Sequence, residues 1–438
     1  MIKKLKTLYT KLDVHTAEVV RKSAASTVVK VAGMLIGLGV SIFLGRTISA
    51  DGLGIINLAN RIVQMLIVFG LLGMNQVIIK EVAISHNRKR LSHIGNVMYT
   101  AYLLNGSITL VISVIFIFIS PWLAINIFNE PRLTYPLIVA LLVMTPQIFS
   151  RIFSSGLVGY RKIWQSNLVE QTLSIAVTGL ILFVSVWFFH NDITIRLVAL
   201  FYAFGRVIVT VSVGFYWKTL YNYKDKRINL SKQLLRTALP LLLVSAASII
   251  MRNADVIVLG ILADSKSIGL YTVAARLSLL IVFLLQIINS AVAPKIAILY
   301  KNGKITELEK MISQITKVIS FIGLVPLIIF MIAGKFILGI WGTEFTEAYW
   351  ILVILSIGQF VNIATGTVGV ILTMTGNEKI QSKISLVSLS LYLLLMPILI
   401  KLLGVNGAAI ATAIVLIGEN IAKVIYVKRK VGIKPIGL

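Results

Sequence analysis

Apolar runs of about twenty residues or more recur along this chain from Ser23 to Val427, each long enough to carry a helix across a hydrocarbon core of roughly 30 Å. A water-soluble domain has no interior that could bury so much side chain. Of 438 residues 58% are hydrophobic, and the mean hydropathy is +0.93. The runs predict an all-α integral membrane protein with about twelve transmembrane helices, at 23–45, 53–79, 94–119, 136–158, 166–189, 193–217, 234–262, 268–293, 312–333, 347–374, 383–403 and 404–427.

The 42 lysines and arginines against 16 acidic residues leave a formal charge of +26. In a soluble protein that surplus would point to nucleic acid. Here it lies mostly in short segments between spans, where it sets orientation and leaves no nucleic-acid partner to expect. An even number of spans puts both termini on one face. That face carries Lys3, Lys4, Arg88, Lys89, Arg90, Arg161, Lys162, Lys224, Lys226, Arg227, Lys301, Lys304, Lys379, Lys428, Arg429 and Lys430, whereas the opposite loops hold little beyond Arg46, Arg132, Lys266, Lys335 and Lys401. Both termini are therefore expected in the cytoplasm. The first apolar run is too long for a signal-peptide core and lacks an Ala-x-Ala ending, so it reads as a retained helix. Before it, Ile2, Leu5, Leu8 and Leu12 recur at helical spacing among lysines, which suits either a basic helix on an anionic leaflet or a solvated tail.

An internal echo organises the spans. Leu44-Gly45 through Asp51-Gly52-Leu53-Gly54 into Ala59-Asn60-Arg61 returns 215 residues later as Leu259-Gly260 through Ile268-Gly269-Leu270 into Ala274-Ala275-Arg276. A second echo, Gly159-Tyr160-Arg161-Lys162-Ile163 against Gly376-Asn377-Glu378-Lys379-Ile380, stands at an offset of 217. Two echoes at nearly one offset predict a duplicated chain of two pseudo-symmetric six-helix bundles running in the same direction. The expected divisions are a basic segment 1–22, an N-terminal bundle 23–217, a cytoplasmic linker 218–236, a C-terminal bundle 237–427 and a cytoplasmic tail 428–438.

Catalytic chemistry finds little support. The chain has no cysteine, and His15, His86, His93 and His190 lack metal-ligand spacing, so neither a thiol nor a metal site is expected. Gly303-Lys304 and Gly334-Lys335 lack the other residues of a phosphate-binding loop. No enzyme activity and no cofactor are expected.

Ionisable residues inside spans are informative because each costs roughly 2.5–3.5 kcal/mol at the bilayer centre and so faces a cavity or a partner. Arg61 and Arg276 occupy matching repeat positions. Arg252 and Asp255 lie three apart in the seventh span and can pair on one helix face. Lys30, Arg206, Lys317, Glu419 and Lys423 complete the set, whereas Arg151 reads as an anchor near the cytoplasmic face and Glu170 as a solvated helix-end charge. The cationic excess suits an anionic passenger such as a diphosphate. Each of these residues also has a structural reading, as a carbonyl cap, a bundle-stabilising pair or a snorkelling side chain.

The run Leu44-Gly45-Arg46 through Gly52-Leu53-Gly54, then Arg252-Asn253-Ala254-Asp255, Ile268-Gly269-Leu270-Tyr271-Thr272-Val273-Ala274 and Ala293-Pro294-Lys295, resembles the polysaccharide flippases of the multidrug/oligosaccharidyl-lipid/polysaccharide exporter superfamily. The resemblance spans about residues 20–428. It implies a Wzx-type flippase that moves undecaprenyl-diphosphate-linked oligosaccharide across the membrane by alternating access through a cationic cavity between bundles, with membrane lipids and a polysaccharide polymerase as further partners. By position it makes Arg61, Arg276, Arg252 and Lys30 the candidates for head-group attraction, and Asp255 and Glu419 those for coupling or gating. The alternative is a multidrug/cation antiporter of the same fold. That branch typically carries an acidic residue in the first helix, and 23–45 has none.

Overall fold

The computed structural model describes residues 14–189, 193–221 and 228–435, and these are helical almost throughout, with no strand among them. The amphipathic segment expected between Ile2 and Leu12, and His190, lie outside the described residues. Eight of the described helices are long and apolar enough to cross a membrane, or ten when each of two bent pairs is taken as one span. The longest such stretch, Ala25–Leu71, has 47 residues. At 1.5 Å per residue it would measure about 70 Å, twice a hydrocarbon core. It breaks at Ser49, whose φ of 64° and ψ of 178° belong to no helix, so the first and second spans meet there. The 32-residue helix Ser231–Leu262 is also long enough to cross. With these two additions the count approaches the twelve expected.

The fourth and fifth spans depart from straight helices. Pro131–Leu142 meets Met144–Gly159 at 43°, because Pro146 has no N–H to bond the Leu142 carbonyl. The helix restarts with the Gln147 N–H on the Val143 carbonyl at 3.0 Å. In the fifth span a π-turn, Leu168–Leu173, precedes the helix Ser174–Phe189.

Packing groups the described residues into two compact units: those within 1–40, 63–121 and 134–249 in one, and those within 41–62, 122–133 and 250–438 in the other. The first is held by a run of aromatic contacts from Tyr102 through Phe153 and Trp217 to Tyr160, with centroid separations of 5.1, 6.3 and 5.4 Å. The end of the polar linker is tethered in the same unit, where the backbone N–H groups of Ile228 and Leu230 donate to Asn96 Oδ1 at 3.1 Å and Thr100 Oγ1 at 2.9 Å.

In the second unit the two copies of the echoed segment lie against each other. A Cβ placed on Gly54 would overlap the carbonyl oxygen of Ser265, and one placed on Gly269 would overlap that of Ala50. Gly54 and Gly269 are repeat equivalents, as are Ala50 and Ser265, so the contact is reciprocal, as a twofold relation requires. Around it Arg132 bonds Asp51 at 2.6 Å and Glu130 at 2.7 Å, Ser265 Oγ donates to Glu130 at 2.9 Å, and the Ala50 N–H donates to Glu344 at 2.7 Å. The Arg132 guanidinium holds the Glu130 carboxyl below the usual carboxylate range. At the other end of the unit the final helix runs to Val431. Ile433 beyond it is fully buried in a cluster with Ile296, Leu308, Ile371 and Val427.

Candidate functional site

Charged groups inside the spans form one constellation in each unit. In the first, Met144–Gly159 supplies Arg151, Ile195–Leu220 supplies Arg206, and the π-turn supplies Glu170. A π-turn adds a residue to the helical register and so rotates the side chains beyond it onto a new face. Here Glu170 and both arginines face a cavity of about 230 Å³, together with Asn75, Gln147 and Thr210. Arg151 donates to Gln64 Oε1. Glu170 accepts from Ser154 Oγ at 2.8 Å, and Ser154 shares a 2.6 Å bond with Ser166. Asn75 Oδ1 and Gln147 Oε1 are buried acceptors with no partner among the described residues. Guanidinium donors beside unused amide acceptors are the groups that a phosphate next to a hydroxyl-bearing moiety would engage.

In the second unit Arg61 donates to Asn253 Oδ1 at 3.0 Å and is the cation beside Asp255. The Asp255 carboxylate also accepts from the Val256 N–H at 2.8 Å and from the Tyr271 hydroxyl. That hydroxyl lies 3.0 Å from Thr412 Oγ1, which Tyr392 approaches at 3.4 Å. The carboxylate thus has one cation beside it and accepts from dipoles of two helices, which is what an acid away from water requires. One heptad along the same two helices, about 10 Å away, Glu419 pairs with Lys423 at 2.8 Å and accepts from Ser385 at 2.9 Å.

The structure therefore joins Arg61 to Asp255 through helix packing, where sequence spacing alone suggests Arg252. Arg252 is exposed, and Arg276 is half-buried and engaged in interactions. Lys30 is half-buried in the first unit. Arg151 and Glu170, read from sequence as an anchor and a solvated charge, instead face the first unit's cavity. The serines at 150, 154 and 155 on the Arg151 helix were the available signal, since a lipid-facing helix has no use for them. Among the described residues no group of three histidine or acidic side chains could hold a metal ion.

The fold is shared with MATE-family multidrug transporters and with the lipid II flippase MurJ. An inward-facing multidrug transporter of the MATE family superposes with a TM-score of 0.72 at 13% identity, covering 91% of this chain and 98% of that one. The lipid II flippase MurJ in an inward closed conformation also gives 0.72, at 16% identity, over 92% of this chain and 87% of that one. The sequence narrows the class further: the chain belongs to the polysaccharide biosynthesis protein family, whose profile matches residues 19–299. The capsular polysaccharide biosynthesis protein CapF of Staphylococcus aureus is 27% identical over 263 residues, which are 58% of this chain and 66% of that protein. The probable low-salt glycan biosynthesis flippase Agl15 of Haloferax volcanii is 27% identical over 183 residues, 41% of this chain and 38% of that protein.

Proposed function

We propose that this protein is a flippase for undecaprenyl-diphosphate-linked oligosaccharide units, acting in the bacterial inner membrane in the assembly of a surface polysaccharide. Unaided transfer of a charged saccharide head is blocked by its desolvation in hydrocarbon. A polar cavity with fixed cations replaces part of the lost hydration, and alternating access keeps it from becoming a leak. The observation that carries this reading is the placement of two arginines, Arg151 and Arg206, against a cavity inside the spans. Arg61, Arg276, Arg252 and Lys30 are proposed to attract the diphosphate, and Asp255 and Glu419 to couple or gate its movement. In this reading the chain is organised as two six-helix bundles with both termini cytoplasmic, and it hands its product to a polymerase. Homology to proteins named for capsule and glycan biosynthesis supports it. The second reading, a multidrug/cation antiporter, draws on the half-buried Asp255 carboxylate inside the seventh span.

A deletion strain decides between them. The flippase reading expects loss of surface polysaccharide with lipid-linked units accumulating in the inner leaflet, a defect that the wild-type gene restores and the Arg61→Ala, Arg276→Ala double variant does not. Normal surface glycan in a deletion strain free of related genes refutes it.

A further inference from the structure

The second unit holds another pocket, far less charged than the first, and we infer that it is a subsite for the uncharged sugars of the passenger; this rests on the flippase reading and deepens it. The cavity measures about 490 Å³, within the 300–1,000 Å³ range of small-molecule sites. Its wall is made where the tenth span breaks: Tyr349–Ala364 ends, Gly366 turns the chain at φ 74°, and Val368–Met374 continues. A non-helical turn at membrane depth is tolerated where it is buried in protein or lines a cavity, because lipid cannot satisfy its backbone groups.

Three of the polar residues on this pocket carry unused acceptors. Asn289 Oδ1, Thr367 Oγ1 and Gln381 Oε1 are buried without a hydrogen-bond partner among the described residues, and all three residues line the cavity. Thr367 is only 1% exposed. Leaving a buried polar atom unpaired destabilises a fold, a cost retained where a ligand relieves it. Amide and hydroxyl oxygens accept hydrogen bonds, and sugar hydroxyls donate them. The charged side chain on the wall, Lys423, is already neutralised by Glu419 at 2.8 Å. A phosphate therefore finds no surplus cation on this wall, whereas a saccharide finds three unused acceptors.

The absence of cysteine from the chain provides the test. Ser290 lines the pocket while its hydroxyl bonds only its own helix, to the Gln286 and Ile287 carbonyls at 3.0 and 2.9 Å, so Ser290→Cys places a single reporter thiol there. The purified full chain in lipid nanodiscs is labelled with a polar maleimide in the presence of three probes. These are undecaprenyl diphosphate, the lipid-linked oligosaccharide that accumulates in the deletion strain, and the oligosaccharide released from it by mild acid. The glycolipid and the released oligosaccharide are expected to slow labelling, and undecaprenyl diphosphate to leave it unchanged. Asn289→Leu and Gln381→Met should each raise the protecting concentration roughly tenfold, the value of one hydrogen bond, without lowering the unfolding midpoint.

Equal protection by undecaprenyl diphosphate overturns the subsite and leaves the flippase reading standing. So does absence of protection in a Ser290→Cys protein that still flips the glycolipid in proteoliposomes. Absence of both protection and flipping by the wild-type chain overturns both. A fall in unfolding midpoint for both apolar variants shows that these side chains serve packing, and it too overturns the subsite.

Discussion

Removing Arg61 should destabilise the second unit chiefly through what it leaves behind. The guanidinium makes a 3.0 Å bond to Asn253 and is the cation beside Asp255. In Arg61→Met the carboxylate keeps its backbone N–H bonds and the Tyr271 hydroxyl but no cation. Breaking a fully buried ion pair costs roughly 3–5 kcal/mol; here both groups are half-buried and their attraction is Coulombic, which places the loss lower, about 2 kcal/mol. Asp255→Asn leaves Arg61 its bond to Asn253 and should cost less, about 1–2 kcal/mol. If the two charges were independent, the Arg61→Met, Asp255→Asn double variant would lose the sum. Because the main cost of the first change is the stranded carboxylate, the double variant should instead be no less stable than Arg61→Met alone, a coupling of about 1–2 kcal/mol. Denaturant unfolding of purified protein in one detergent, followed by tryptophan fluorescence, measures all four corners of the cycle. Strict additivity would refute the pairing. A stable double variant that fails to restore surface polysaccharide would separate the transport role of these charges from their structural one.

The remaining predictions use the same preparations. Gly54→Ala or Gly269→Ala forces a methyl group into a facing carbonyl, and overpacking of this kind costs about 1–3 kcal/mol or more; each should lower the unfolding midpoint, whereas Gly418→Ala, with nothing near its Cβ position, should not. Tyr271→Phe removes the hydroxyl shared between Asp255 and Thr412 and should cost about 1 kcal/mol in the same denaturant assay. The lowered Glu130 pKa contributes stability that is present above the ordinary glutamate value of about 4.3 and is lost as pH falls through the lower folded value. The midpoint should therefore drop on acidification below about pH 4, and Arg132→Ala should flatten that drop. Arg151→Gln and Arg206→Gln should each weaken binding of undecaprenyl diphosphate roughly tenfold in a fluorescence titration.

The helices were legible because lipid allows little else: an apolar run of span length has to satisfy its own backbone, so composition and run length suffice. The bends were less so. Pro146 marks one of them, but the π-turn at Leu168–Leu173 carries no proline or glycine that a reader of sequence could use. Among the intramembrane charges, identity was legible and partnership was not. Asp255 was paired by spacing with Arg252, whereas helix packing set it beside Arg61, 194 positions earlier in the chain. Charges near a helix end read as solvated, so Arg151 and Glu170 give no sign in the sequence that the fold turns them toward one cavity. The unused acceptors at Asn289, Thr367 and Gln381 could not be foreseen, since an unmet hydrogen bond is a property of surroundings that no local pattern encodes.

The reciprocal glycine contact limits how freely the two ancestral copies can diverge. Each copy's main chain occupies the space that a side chain on the other would need, so a bulkier residue in either is opposed by the twin segment. These two positions should stay minimal in size through any later history of the gene, even as the halves drift apart elsewhere in sequence.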